Sequence, residues 1–201
     1  ADVVQIQVNF MKIYFLYQDN KIQLINARNE LLRSFKDVEA CCFIGYEHFA
    51  STRGYIWSRS IPLLKETLLI GHGADTYTMY FPQHDVIGKL NTYGRTLVLL
   101  DKPHNNYIQI AHDTGVLSLM VLFALIMRLF IVSLTHHYSK KYDDKLKPLR
   151  ISVLSGIVGY LIAAIFNDSV VHVAPYFWFI LGLSFALIDK KLDEQENKCL
   201  F

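Results

Sequence analysis

The sequence predicts a mainly α membrane protein: an extracytoplasmic α+β region, built from a small β-hairpin element and short helices, followed by three transmembrane helices. Three observations carry this. Apolar residues make up 52% of the 201-residue chain and mean hydropathy is positive, above the norm for a soluble domain. The excess is concentrated in three segments of the second half, at 115–134, 151–167 and 170–188. The first 25 residues instead alternate apolar and polar, the period of a strand with one wet face. The expected organisation is a β-rich extracytoplasmic element at 1–50, an extracytoplasmic catalytic loop region at 51–114, three spans within 115–188, and a cytoplasmic tail at 189–201. Ala1 is not an initiator Met and no signal pattern follows it, so the chain is expected to begin inside a longer protein with further membrane helices upstream.

In chain order, Val4, Ile6 and Val8 alternate with Gln5, Gln7 and Asn9, and Ile13, Phe15 and Tyr17 form a second set. Gln18-Asp19-Asn20-Lys21 reads as a hairpin turn before Ile22, Leu24 and Ile25. Residues 27–34 suit a further turn and strand. Ser51-Thr52 can cap a helix starting at Arg53, which Pro62 breaks or kinks. Residues 63–70 continue helically until Gly71 or Gly73. A short helix is expected near Thr76 to Phe81, and residues 82–100 read as irregular.

The apolar segments are long enough to span a bilayer, the second by extending to the Asn167-Asp168-Ser169 turn. Lys140, Lys141, Lys145, Lys147 and Arg150 lie between the first two, and short basic loops stay cytoplasmic. This places residues 1–114 and the 167–175 turn outside and the C-terminus inside. Arg128 is close enough to the inner end of its span to snorkel, and His136 and His137 are expected to be solvated. His172 and Asp168 in the outer turn suit either a polar interfacial cap or a position facing a site.

Several function classes find no support. The 20 basic and 18 acidic residues nearly cancel and form no long basic run, so no nucleic-acid partner is expected. Cys41, Cys42 and Cys199 fit neither a zinc spacing nor an even disulfide framework, and unpaired thiols, two of them packed in a core, are expected. There is no His-Glu-x-x-His pair, no Gly-x-Ser-x-Gly elbow, no P-loop and no dinucleotide fingerprint. No metal or cofactor is expected. A transporter would need mid-membrane carboxylates, and the spans offer only Arg128.

Chemistry concentrates in the stretch Asp101-Lys102-Pro103-His104-Asn105-Asn106-Tyr107. Pro103 suits the first position of a helix, which puts His104 in the first turn. There the positive end of the helix dipole keeps imidazole neutral, and unpaired N–H groups bind phosphate. The stretch alone also fits a capped helix whose His and Tyr sit at a membrane interface. Arg53 stands at a helix start, where the dipole disfavours a cation, so an anion is the better reason for it. Arg59, Arg95, Lys102 and Asn105 extend the cationic, amide-rich surface; for Arg59 a solvated or headgroup-facing position fits equally well.

Taken together, Ser51-Thr52-Arg53-Gly54-Tyr55-Ile56-Trp57, Gly71-His72-Gly73-Ala74-Asp75-Thr76, His104-Asn105-Asn106-Tyr107-Ile108-Gln109 and Thr114-Gly115 resemble the signature of the bacterial O-antigen ligase and polymerase family, in its Gram-positive form. The likeness continues weakly through Asn167-Asp168 and Pro175-Tyr176-Phe177-Trp178. Ala74 stands where the family's turn often holds proline. The resemblance implies a polytopic, metal-independent glycosyltransferase acting on an undecaprenyl-diphosphate-linked glycan at the bilayer. It implies that Arg53 holds the diphosphate, that His104 is catalytic, and that Asn105 orients His104 or the substrate. A polymerase, a ligase that passes the glycan to another acceptor, and a non-catalytic module that only binds polyprenyl phosphate remain the alternatives.

Overall fold

A computed structural model describes residues 2–8, 11–18, 21–25, 38–138 and 146–199. The chain divides into two compact units, residues 1–38 and 39–201. The expected turn and strand at 27–34 lie outside the described residues, as do Lys140, Lys141 and Lys145.

The first unit is a three-stranded antiparallel sheet in the order β1-β2-β3, with β1 Asp2–Val8, β2 Met11–Gln18 and β3 Lys21–Ile25. The register pairs Val4 with Phe15 and Phe15 with Leu24, and Ile6 with Ile13. Apolar alternate positions of all three strands therefore share the same rows, which is the arrangement the sequence periodicity asks for.

The second unit is helical: α1 Phe49–Leu63, α2 Tyr77–Tyr80, α3 Val86–Tyr93, α4 Asn106–Asp113, α5 Val116–Tyr138, α6 Lys147–Ala163 and α7 Ala174–Cys199. One part of it closes on Tyr55, Ile56 and Trp57 of α1, with Tyr77, Phe81 and Leu100 packed against them. Leu63 ends α1, and residues 64–70 do not continue the helix. Pro62 lies in the last turn of α1, and tight i→i+3 bonds such as Thr67 N to Leu64 O follow it. The next carbonyls are diverted: Thr67 O and Leu68 O accept from Val116 N and Leu117 N at the head of α5. Nor are residues 82–100 irregular throughout, because α3 forms there. Asp85 caps it by accepting from Gly88 N, and Gly94 ends it in the left-handed conformation. Cys42 is exposed and Cys41 only half-buried, both as free thiols, so neither is the core residue expected.

α5, α6 and α7 meet around Leu129, Ile157, Phe177 and Leu181. Tyr160 stacks on Phe177 with centroids 4.2 Å apart. Among the described residues one helix, over Val116–Thr135, is long and apolar enough to cross a membrane; the apolar part of α7, Ala174–Leu187, is shorter. Met120, Val121, Met127 and Ile131 of α5 are exposed. A helix in water would carry polar residues on such a face, whereas one in lipid would not.

Candidate active site

Arg53 is delivered by an unusual piece of backbone. Ala50, Ser51 and Thr52 have φ of 49°, 58° and 70°, so three consecutive non-glycine residues are left-handed before the right-handed helix resumes at Arg53. Each such residue costs roughly 1–2 kcal/mol relative to its right-handed form. The Ser51-Thr52 pair thus builds a tight left-handed turn where a side-chain cap was expected, with the Thr52 hydroxyl donating to Ser51 O at 2.5 Å. Behind it, Gly54 fits because a Cβ there would collide with the carbonyl of Tyr46. Arg53 Nη1 donates to Ala50 O at 2.9 Å, while its Nε–H is buried with no hydrogen-bond partner. A guanidinium N–H left in that condition is costly, and an anion is the group that relieves it.

His104 is also left-handed, with φ of 50°. Pro103 before it is fully buried, and its carbonyl accepts from Trp57 Nε1 at 2.9 Å, which ties the segment to α1. Asn105, rather than Pro103, sets the start of α4: its Oδ1 accepts from Tyr107 N and Ile108 N. His104 therefore lies before the helix and not in its first turn, and the expected dipole effect on its ring is replaced by a stronger one. Its Nδ1 donates to Asp168 Oδ2 at 2.7 Å. That hydrogen bond raises the His104 pKa above the ordinary imidazole value; burial and the Arg53 charge oppose it, and the Asp168 and Asp101 charges add to it. The sequence-based expectation of a ring held neutral by the helix is reversed. With Nδ1–H committed to the carboxylate, Nε2 is the acceptor nitrogen and makes no hydrogen bond among the described residues.

Asp168 comes from the turn between α6 and α7, held against α4 by several bonds. Asn106 N donates to Ala164 O at 2.9 Å, Tyr107 OH to Leu161 O at 2.6 Å, and Ser169 N to Gln109 Oε1 at 2.8 Å. His104, Asp168, Asn106 and Tyr160 line a cavity of 360 Å³ whose remaining wall is largely apolar, including Ala163 and Val173. Asp168 Oδ1 and Asn106 Oδ1 are buried there without hydrogen-bond donors. Two acceptors that lack donors, beside an imidazole with a vacant lone pair, suit a ligand rich in hydroxyl groups.

The remaining expected site residues are dispersed. Arg59 is paired with Asp85 at 3.1 Å and Glu47 at 3.7 Å and lies over the Tyr55 ring, so its charge is matched within the fold. Arg95 is exposed and Lys102 half-buried, and neither makes a hydrogen bond or ion pair among the described residues. Asn105 is occupied as the α4 cap. His172 is exposed. Asn106 and Tyr160 were not named from the sequence as site residues, and Asp168 was weighed with His172 as either an interfacial cap or a position facing a site; the acidic residue in a short turn between apolar segments was the available signal. Among the described residues, no three His, Cys, Asp or Glu side chains converge as a metal-ligand group.

No curated protein and no solved structure matches the chain. A family model described as O-antigen ligase (Wzy_C) matches residues 10–123, a stretch that contains both Arg53 and His104. With more than half of its 201 residues matched by that model, the chain belongs to the O-antigen ligase family.

Proposed function

We propose that the protein is a membrane glycosyltransferase that joins undecaprenyl-diphosphate-linked glycan repeats during synthesis of a cell-surface polysaccharide. The family is membrane-integral and glycosyltransferase-like, with lipid-linked polysaccharide as its substrate class. The observation that carries the finer reading is the His104–Asp168 pair on the cavity wall, with Arg53 near enough to act on the His104 charge.

In this reading α5, α6 and α7 all cross the bilayer. Residues 1–114 and the 167–175 turn lie outside, and the basic connection between α5 and α6 together with the C-terminus lies inside. The catalytic region is 51–114, preceded by the β element. An acceptor sugar hydroxyl enters the cavity and gives its proton to His104 Nε2, while its oxygen forms a bond to the anomeric carbon of the donor. The bond from that carbon to the diphosphate oxygen breaks, and undecaprenyl diphosphate leaves with the electron pair. Asp168 holds the imidazole in the tautomer that accepts at Nε2 and stabilises the imidazolium that forms. Arg53 meets the charge gathering on the diphosphate, and its unpaired Nε–H is the donor reserved for it. Arg95 and Lys102 add positive charge to the outer surface, Asn105 holds the α4 start beside His104, and Arg59 braces α1 through Asp85. The reaction needs no metal ion.

The test is His104→Ala in the full-length protein, with polymer chain length read on a gel. Loss of polymer is expected, and normal chain lengths would overturn the reading. The family's own description favours a second reading, transfer of a finished glycan to a different acceptor. Product analysis separates them, since a ligase leaves the length of the donor glycan unchanged.

A further inference from the structure

Residues 68–70 are held between two pairs of backbone bonds. On one side Thr67 O and Leu68 O accept from Val116 N and Leu117 N, the first residues of α5. On the other, His72 N and Gly73 N donate to His112 O and Asp113 O at the end of α4. Two glycines allow this approach: a Cβ on Gly71 would collide with the Asp113 carbonyl, and one on Gly115 with Leu69 O. Thr67, just before the loop, is fully buried. The loop is thus pinned at both ends, and it presents Leu68, Leu69 and Ile70 outwards at 59%, 73% and 81% exposure. A run of exposed aliphatic residues in a turn is unfavourable in water and calls for a functional reason. Lys65 and Glu66, which precede Thr67, are exposed and charged, so polarity changes abruptly along the segment.

The level of the loop identifies its partner. Val116–Thr135 is long and apolar enough to cross a membrane, and its 20 residues rise roughly 30 Å, the thickness of a bilayer's hydrocarbon core. Val116 and Leu117 then stand at the boundary of that core, and their backbone bonds hold residues 68–70 at the same level. Leu117, Met120 and Val121 in the first turns of α5 are exposed as well, so the aliphatic loop adjoins an apolar stretch of the helix. We propose that Leu68, Leu69 and Ile70 form an interfacial anchor whose side chains enter the acyl chains of the leaflet around the head of α5. The proposal rests on the reading above that α5 lies in the bilayer. The irregular backbone sets the depth. Peptide groups outside a helix are not tolerated in the hydrocarbon core, so they stay at headgroup level while the side chains reach below them. The anchor follows α1, which carries Arg53, and is joined to the end of α4, which begins beside His104, so its hold on the bilayer reaches both elements of the candidate site.

The experiment uses the full-length protein in liposomes of phosphatidylcholine and phosphatidylglycerol, with its native cysteines replaced by serine and a nitroxide attached at Leu69→Cys or Ile70→Cys. Power-saturation electron paramagnetic resonance compares collisions with oxygen, which concentrates among acyl chains, and with a water-soluble nickel chelate. Met127→Cys, at an exposed position within α5, is the reference for a lipid-facing site. Oxygen collisions exceeding nickel collisions at 69 and 70, as at 127, are expected. Nickel collisions prevailing at 69 and 70 while 127 stays in lipid overturn the anchor alone. So does shielding of 69 and 70 from both reagents, the result expected if another protein segment covers the loop. Nickel collisions prevailing at 127 overturn the bilayer reading of α5 and the anchor with it. The same values are expected with His104→Ala, so failure of the transferase reading and failure of the anchor are read separately.

Discussion

Replacing Asp168 with Asn tests the dyad with the least disturbance of shape. The wild-type pair is a charge-assisted hydrogen bond of 2.7 Å between a carboxylate side chain 9% exposed and an imidazole 43% exposed. Bonds of this kind contribute about 1.5–3 kcal/mol, and the exposure of His104 reduces that to about 1 kcal/mol through solvent screening. Removing that bond should lower the pKa of His104 in the variant. The sign follows from the role assigned. A general base works when neutral, so kcat/KM rises with pH through the raised pKa of His104, and in Asp168→Asn that limb moves to lower pH. The plateau should also drop, by roughly 10- to 100-fold, because an amide that offers its N–H to Nδ1 leaves the proton on Nε2, where it blocks acceptance. Stability moves with the same linkage. A raised folded-state pKa stabilises fully below the unfolded value and loses that contribution as pH rises through the folded value, so the variant's deficit should be largest in acid and vanish in alkali. The assay is transfer from a lipid-linked oligosaccharide by the full-length enzyme in proteoliposomes, from about pH 5.5 to about pH 9 around the imidazole range. An unchanged limb together with an unchanged plateau would refute the assignment of Asp168 to His104.

Three further outcomes follow from Arg53 and from its supporting turn. Arg53→Lys keeps the charge but loses the Nε–H donor, so KM for the lipid-linked donor should rise about tenfold with the pH limb in place; Arg53→Gln removes the charge that opposes protonation of His104 and should move the limb to higher pH. Ser51→Gly relieves a left-handed residue whose side chain is exposed, and should stabilise by about 0.5–1 kcal/mol, seen as a rise of a few degrees in a thermal-shift assay, with transfer unchanged.

The strands and the long apolar helix were legible because their signal is local. Alternation from Val4 to Tyr17 fixes which positions share a row, and a predominantly apolar run of twenty residues after Gly115 leaves few alternatives to a spanning helix. α3 was missed because eight residues are barely two turns, too short for periodicity to stand out; its clearer signature was the pair of caps, Asp85 and Gly94, on either side of them. His104 shows a deeper limit. Pro103 advertised a helix start, but Asn105 captured two backbone donors and moved the boundary three residues on. The partner that sets the charge of the ring, Asp168, is 64 residues away, and no spacing rule carries a tertiary contact across three helices. Arg59 looked like Arg53 in sequence, yet one has two carboxylate partners and the other an unsatisfied Nε–H. Only packing separates them.

The backbone bonds at the head of α5 have a mechanical meaning. Val116 N and Leu117 N are held by Thr67 O and Leu68 O, and His72 N and Gly73 N by His112 O and Asp113 O. Together they form a four-rung splice between the segment after α1 and the junction of α4 with α5. At the centre of the splice Gly115, with φ of 106°, leaves room for Leu69 O, which would lie 2.8 Å from any Cβ placed there. The splice makes α5 a lever arm: a change in its tilt cannot be absorbed at the junction and passes to α4 and α1 together. In the reading proposed above, in which α5 crosses the bilayer, the segments that carry Arg53 and His104 would thus be tied to the head of a membrane helix.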